Sequence, residues 1–331
     1  MSQQHPHIDG YTHISTSIDK TQRRMDLIRE GKIKPLLTSS RKETDKIGGY
    51  YPSDQVVIAG RTGFGKSAKA LQDLLDFADP VLNPFYANDL IFLWDTWEMT
   101  DWRNVLRMIS REGGVEVKAL LDYERRLTEE RYQTLRAVGE KFKHLPIYMS
   151  TRSQTVKNWE ENKKQIQGKF PRKRIVNIFD HTRLALKNEE TKEEELITGL
   201  MLAGMRLKNN FEMINYFLSQ MNRNIETGTA RAQIGNNTPI ASDIFGSDAV
   251  FQCADVVIAL HRPGKYRLEK FDGIPTGFEL DNPNKSDDLL IECVLKQRDG
   301  WTGNIAMRHN LAINKIEDYP QLNAKQIEQR I

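Results

Sequence analysis

The chain has 331 residues, of which 39% are hydrophobic and 28% charged, and its formal net charge is +3; this composition is typical of a soluble globular protein and permits a nucleic-acid partner without indicating one. No apolar run exceeds the length of a strand, which excludes a membrane span, and the N-terminus lacks the apolar core of a signal peptide. Cys253 and Cys293 have no partners at metal-ligand spacing, so we expect a cytoplasmic protein.

The first thirty or so residues are predicted to stand apart from the rest of the chain. Residues 1–13 are expected to form a tail, and 15–31 a short amphipathic helix that ends at a glycine. Its apolar residues keep a roughly heptad spacing: Ile14, Ile18, Met25 and Ile28. Residues 34–54 are predicted to be a loop that leads into the core.

Strand-like apolar runs then alternate with helical patterns. We predict strands at 55–59, 90–94, 146–150, 174–179, 213–219, 255–260 and 289–296. We predict helices near 66–77, 100–112, 128–142, 155–168, 191–209 and 242–253. This alternation favours an α/β fold with a mainly parallel sheet flanked by helices. After the polar stretch 264–288, a further strand near 303–309 is expected to add antiparallel pairing at the sheet edge.

A phosphate-binding loop is predicted where the first strand meets the first core helix. The segment GRTGFGKS fits the pattern G-x-x-x-x-G-K-[ST], in which backbone N–H groups surround phosphate oxygens. Lys66 would bring its charge to the β- and γ-phosphates, and Ser67 would ligate Mg²⁺. We predict that the nucleotide is bound by Gly60, Arg61, Thr62, Gly63, Phe64, Gly65, Lys66, Ser67 and Ala68.

Acidic residues follow two of the other predicted strands. Asp180 comes directly after RIVNIF and is the candidate for the second magnesium ligand. In LIFLWDTWEMT, either Asp95 or Glu98 could orient and polarise water at the carboxyl edge of the sheet, where ligands of such sheets bind. The residues alone do not separate these two acids.

Several segments, in this order and spacing, resemble the ATPase domain of the DnaB-type replicative helicases of bacteria and phages, a hexameric branch of the RecA-like ATPases. The resemblance covers about residues 31–318. The segments are GGYYPSDQVVIAGRTGFGKSAKAL, FLWDTWEMTDWRNVLRMI, IVNIFDHTRL, FLSQMNR, TPIASDIFGSDAVFQCADVVIALHR and LKQRDGWTG.

The resemblance implies a RecA-like fold, ATP and Mg²⁺ as cofactors, and roles for individual residues. It assigns the catalytic glutamate to Glu98, not Asp95, the magnesium aspartate to Asp180, and the γ-phosphate sensor to Gln220. Lys296 and Arg298 would act on the nucleotide of the neighbouring subunit. The DNA-facing residues would be Arg223, Phe245, Gly246 and Ser247.

The chain also departs from the family pattern. Family members usually carry an N-terminal collar domain that receives primase, but only about thirty residues precede the core here. We expect a phage or mobile-element version in which that domain is either absent or was cut away. Phe245 stands where the family usually has a basic residue, and Asp248 where it has glycine. His181 replaces an aromatic residue after the magnesium aspartate; it is either a γ-phosphate-linked switch or a satisfied strand-end histidine.

The resemblance predicts an ATP-dependent DNA helicase that forms a hexameric ring on single-stranded DNA, with a primase or helicase loader as a further partner. We divide the chain into a tail and linker helix (1–31), the ATPase domain (32–318) and a C-terminal tail (319–331). The linker helix would either pack on the adjacent subunit or fold back on its own domain. The alternatives are a nucleotide-switched recruitment protein and a RecA-like recombination ATPase that coats DNA as a filament.

Overall fold

The computed structural model describes residues 8–122, 124, 127–182, 192–222, 225, 237–282 and 287–320. The helices are α1 (Ile14–Arg29), α2 (Arg41–Ile47), α3 (Lys66–Ala78), α4 (Asp101–Gly113), α5 (Val117–Leu120), α6 (Glu129–Phe142), α7 (Val156–Lys169), α8 (Glu193–Phe211) and α9 (Ser247–Cys253). The strands are β1 (Gln55–Gly60), β2 (Leu90–Thr96), β3 (Ile147–Ser150), β4 (Arg174–Asp180), β5 (Ile214–Gln220), β6 (Val256–His261), β7 (Lys270–Phe271), β8 (Ile274–Pro275), β9 (Leu289–Gln297), β10 (Gly303–Asn310) and β11 (Lys315–Asp318).

Nine of the described strands form one mixed sheet, in the order β11-β10-β9-β6-β1-β5-β4-β2-β3. The six strands from β6 to β3 in that order pair in parallel. β9 pairs antiparallel with β6, and β10 and β11 continue that pattern to the edge. The predicted α/β architecture, with antiparallel strands near the C-terminus, is therefore confirmed.

Both faces of the sheet are buried because helices cover each of them. Val56 and Ile58 of β1 belong to the apolar cluster on the α3 face, whereas Val57 and Ala59 belong to the cluster on the α8 face. All four side chains are completely buried. A strand that is apolar on both faces is what a parallel sheet between two helix layers requires, and β1 is accordingly the middle strand of the nine.

The predicted core strands and most helices agree with the structure to within a few residues. One loop prediction and one helix prediction are wrong in part. α2 lies where a loop is predicted, although Ser40 and Glu43 form the start of a helix in which the Ser40 hydroxyl accepts the Glu43 N–H. The helix expected near 242–253 begins at Ser247, because Gly246 has a left-handed φ of 69° and interrupts the run.

Helix α1 forms as predicted and leaves its apolar stripe in solvent. Ile14, Ile18, Met25 and Ile28 are between 46% and 65% exposed, and no residue of α1 is buried. Its Arg24 lies 3.7 Å from Glu212 at the end of α8. The helix therefore does not bury its apolar face on its own domain. No helix within the described ranges is both long enough and apolar enough to cross a membrane.

Candidate nucleotide site

The predicted phosphate-binding loop connects β1, near the middle of the sheet, to α3. Gly60 ends β1 between Gln220 of β5 and Leu260 of β6. Gly63 and Gly65 have φ values of 78° and 98°, in the left-handed region where a side chain would strain the backbone. The loop thus has a backbone that suits a phosphate cradle at the start of a helix.

Lys66 lies over this loop and is held by its carbonyl groups. The ammonium donates to the Gly60 carbonyl at 2.8 Å and to the Arg61 carbonyl at 3.3 Å. Burial lowers the pKa of Lys66 to about 8, although the nearby Asp180 and Glu98 carboxylates act against that shift. A bound phosphate would supply a further negative charge and favour the charged form of the lysine.

The buried residues Arg262, Asp287 and His309 form a cluster, here called the clamp, that contacts the loop at Gly63. The sequence patterns did not predict it. The Arg262 guanidinium donates to the Gly63 carbonyl at 2.7 Å and grips the Asp287 carboxylate at 2.7 and 2.9 Å. His309 lies 3.4 Å from the same carboxylate. Burial raises the pKa of Asp287, but hydrogen bonds and charge from His309 and Arg262 outweigh it and lower that pKa to about 2. No sequence spacing joins these residues, so only the fold reveals the clamp.

The loop side chains not yet described point in different directions. The Phe64 ring is 6% exposed and packs edge-on against Tyr266, with 5.8 Å between ring centroids. Only the backbone of Phe64 is therefore available to a nucleotide. Ala68 is also buried, Thr62 is exposed, and Arg61 donates to the Met221 carbonyl at 2.9 Å.

Ser67 and Asp180 meet at the predicted magnesium site. Ser67 lies at the start of α3 and Asp180 at the end of β4. The Ser67 hydroxyl donates to the Asp180 carboxylate at 2.9 Å. Burial, reinforced by the Glu98 charge, raises the pKa of Asp180 to about 6, against the effect of Ser67 and Lys66. A hydroxyl and a carboxylate oxygen side by side are the hard oxygen ligands that Mg²⁺ prefers, so these residues fit the ion.

The two rival acids after β2 occupy different environments. Asp95 is 1% exposed, accepts the Trp159 indole N–H at 2.7 Å and pairs with Lys163 of α7 at 2.8 Å. Glu98 is 54% exposed on the side of the phosphate-binding loop, where its charge affects both Lys66 and Asp180. Asp95 is thus engaged in a structural ion pair, while Glu98 is available at the site.

Gln220 ends β5 directly beside Gly60. Its amide nitrogen lies 3.3 Å from His181 Nε2, and the same ring nitrogen lies 3.9 Å from a Glu98 carboxylate oxygen. The structure therefore brings Lys66, Ser67, Asp180, Glu98 and Gln220 to one edge of the sheet, although they follow four different strands or loops.

Lys296 and Arg298 lie at the other side of the sheet, beside the amino ends of its parallel strands. β9 runs antiparallel to β6, so its end pairs with the start of β6 near Val256. The Arg298 guanidinium pairs with Asp255 at 2.9 Å, and the Lys296 ammonium donates to the Phe251 carbonyl. These two cations cannot reach the loop of their own chain.

The candidate DNA-facing residues lie beside the end of β5. The Phe245 N–H donates to the Gln220 carbonyl at 3.1 Å, and the half-buried Phe245 ring packs against the core cluster on the α8 face. Gly246 lies against Ile197 of α8, and Ser247 begins α9. Arg223, the fourth residue of this prediction, lies outside the described residues.

A glycine-rich phosphate loop on a central strand, with a carboxylate at the end of a nearby parallel strand, defines a P-loop domain. The strand order and the family match below make this domain one of the RecA-like class. Residues 37–318 match the family described as the DnaB-like helicase C terminal domain, and the chain belongs to that family.

Curated proteins show the same likeness. The chain is 24% identical over 319 residues to the replicative DNA helicase DnaB of Geobacillus stearothermophilus, covering 95% of this chain and 63% of that protein. It is also 24% identical to the DnaB helicase of Leifsonia xyli subsp. xyli, covering 88% of this chain and 57% of that protein. It therefore spans less than two thirds of the length of these relatives.

Two solved structures share the fold at 19% identity. One is an ATPase domain that superposes with a TM-score of 0.75, covering 95% of this chain and all of that chain. The other is a DnaB-like replicative helicase, described with its interactions with primase, which gives a TM-score of 0.74 and covers 94% of this chain and 68% of that chain.

Proposed function

We propose that this chain is the motor of an ATP-driven DNA helicase that works as a hexameric ring on single-stranded DNA. The observation that carries the proposal is that the charged groups are divided between the carboxyl ends and the amino ends of the parallel strands. Lys66, Asp180 and Glu98 stand at one edge, and Lys296 and Arg298 stand at the other. An arrangement of this kind is complete only where two copies meet, which makes hydrolysis depend on the neighbour.

Each residue then has a defined task at the interface. Lys66 and the loop N–H groups bind the phosphates, and Ser67 and Asp180 hold Mg²⁺, which neutralises charge on the phosphate oxygens when it is bound. Glu98 orients and polarises the attacking water, and Gln220 contacts the γ-phosphate. Arg298 and Lys296 of the neighbouring copy stabilise the charge that develops in the transition state.

We propose that α1 joins neighbouring copies, so that residues 1–31 are a tail and linker helix, 32–318 the motor and 319–331 a C-terminal tail. An apolar groove of about 960 Å³ runs between α4, α6 and the edge strand β3, and no residue of α1 lines it. The groove walls include Trp102, Ile109, Leu135 and Met149. The exposed stripe of α1 supplies a matching apolar face for the groove of the next copy.

The linker proposal is tested by charging the stripe. Ile18→Asp should weaken ring assembly, measured by sedimentation with ATP, because it places a carboxylate in the apolar groove. Asp19→Asn, at the neighbouring position off the stripe, is the matched control and should assemble like the wild type. Unchanged assembly of Ile18→Asp would show that α1 does not hold the ring together.

A strand-separation assay tests the function itself. We expect the wild-type chain, with ATP, to unwind a labelled fork with a free 5′ tail, and Lys66→Ala to fail. Moving the tail to the 3′ end gives the direction of translocation. Closed rings with ATP in electron micrographs would separate this helicase from a filament-forming recombination ATPase.

One alternative remains tied to a specific observation. Phe245 is packed against the core and Asp248 stands in the first turn of α9, so the family's basic DNA contact is replaced. ATP binding without DNA-stimulated turnover would indicate a nucleotide-switched recruitment protein. We further propose that the motor acts in the cytoplasm with a primase or helicase loader; co-purification with the host primase, compared between ATP and ADP, tests that partner.

A further inference from the structure

His181 lies between two groups to which the proposed mechanism gives separate tasks. It follows Asp180 at the end of β4 and is 7% exposed. Its Nε2 atom is 3.3 Å from the Gln220 amide nitrogen and 3.9 Å from the nearest Glu98 carboxylate oxygen. The first distance allows a hydrogen bond, and the second is too long for one.

A single ring nitrogen therefore faces both partners. The Nε2 atom of a neutral imidazole carries either a lone pair or a proton, so it accepts from one partner or donates to the other, but not both. As an acceptor it binds the Gln220 amide N–H, whereas as a donor it binds the Glu98 carboxylate. The contact seen in the structure, with Gln220 nearer, leaves Glu98 more than half exposed and without this hydrogen bond.

Gln220 is also connected to residues 244–247, which we call the candidate DNA-facing segment. Its carbonyl accepts the Phe245 N–H at 3.1 Å, and the adjacent Met221 forms an isolated β-bridge with Ile244. A shift at the end of β5 therefore moves this segment and the Gln220 amide together. The described contacts run from the segment through Gln220 and His181 toward Glu98.

We infer that His181 is a positioning residue that exchanges Gln220 for Glu98 when nucleotide is bound. When the Gln220 amide turns to the γ-phosphate, the neutral His181 ring exchanges tautomer: Nδ1 gives its proton to solvent and Nε2 takes one up. The Nε2–H then donates to the Glu98 carboxylate and holds that carboxylate in place for the attacking water. DNA contact at the segment around Phe245 favours the same exchange through the Gln220 backbone. This inference rests on the proposed roles of Glu98 and Gln220.

Two substitutions at this position separate the bridge from mere packing. His181→Phe keeps a ring of similar size without hydrogen-bonding atoms, whereas His181→Gln restores a polar group at about the reach of Nε2. His261→Phe is the matched control. His261 is also buried at the end of a parallel strand of the same sheet, β6, and its ring nitrogens have no hydrogen-bond partner among the described residues.

The measurement is kcat and KM for ATP, with and without single-stranded DNA, alongside thermal unfolding to verify folding. We expect His181→Phe to lower the DNA-stimulated kcat by about tenfold or more, because a misplaced catalytic group is costly, with KM changed less than about twofold. His181→Gln should recover most of that loss and of the stimulation by DNA. His261→Phe should behave as the wild type.

The possible results distinguish the inference from the function on which it rests. If the wild type hydrolyses ATP, Lys66→Ala does not, and folded His181→Phe matches the wild type, only the coupling through His181 is overturned. The same holds if KM alone changes, or if His181→Gln is as impaired as His181→Phe. If the wild type shows no hydrolysis that depends on Lys66, the proposed function fails and the coupling fails with it.

Discussion

Replacing Arg298 by alanine tests whether the two sheet edges work across a subunit boundary. Gly60 of the phosphate loop pairs with Leu260, whereas Arg298 lies level with Asp255 at the other end of β6. The five residue steps from Asp255 to Leu260 separate the two strand ends by roughly 16 Å at a strand rise of about 3.3 Å per residue. Arg298 can therefore act only on the nucleotide of another copy.

The substitution should leave the fold intact. Arg298 is 51% exposed, and Asp255 retains its pair with Lys208. An ion pair of this kind contributes no more than about 1 kcal/mol to stability. If Arg298 is the finger of a ring motor, its loss should nevertheless reduce kcat by about a thousandfold, as for other arginine fingers.

Mixing two inactive variants should restore a predictable fraction of the ATPase activity. Arg298→Ala keeps an intact loop, and Lys66→Ala keeps an intact finger, so an interface that pairs them in the right order is complete. In randomly mixed rings with equal amounts of each, one half times one half, or about one quarter, of the interfaces have that order. We expect about one quarter of the wild-type ATPase rate if the interfaces act independently.

The assay is ATP turnover after the variants have been mixed and allowed to exchange subunits. Arg174→Ala is the control, because Arg174 begins β4 at the same sheet edge as Arg298 and pairs with Glu212 at 3.0 Å. It should retain wild-type turnover. Wild-type turnover by Arg298→Ala alone, or a mixture no more active than its two components, would refute the reasoning.

Three further predictions concern the buried charges around the loop. Arg262→Gln should cost about 3–5 kcal/mol of stability, because it leaves Asp287 buried without its partner, and weaker binding of a fluorescent ATP analogue should accompany it; urea unfolding and titration measure both. Lys69→Met should cost a similar 3–5 kcal/mol, roughly, in urea unfolding, since the ammonium is fully buried among Glu43, Asp73 and Glu292. Burial raises the pKa values of Asp73 and Glu292 to about 8, from ordinary values of 3.8 and 4.5. The folded state therefore keeps protons that the unfolded state releases. The free energy of unfolding should consequently fall by up to about 1.4 kcal/mol per pH unit for each group as pH rises toward 8. Urea unfolding from about pH 5.5 to about pH 9 measures this slope, and Asp73→Asn should reduce it; a stability that rises over this range would contradict the assignment.

Much of the fold and part of the site can be predicted from local sequence pattern. The phosphate loop from Gly60 to Ser67 is a contiguous motif, and Asp180 and Glu98 each follow an apolar run whose length is that of a strand. Parallel strands bring their carboxyl ends to one edge, so the pattern alone predicts that these residues lie together. The capping pair Ser40 and Glu43 is also readable, and the prediction of a loop there overlooks it.

The sequence by itself thus determined the class of fold, the phosphate loop and the strand ends that carry its acids, because these depend on contiguous residues. The tertiary structure decided which acid faces the site, since Lys163 of α7 holds Asp95 in the interior while Glu98 stays exposed. It also placed Arg298 at the far edge and closed the clamp of Arg262 on Gly63. Those contacts join residues distant along the chain, and their geometry is set by strand register and packing, which no local pattern encodes.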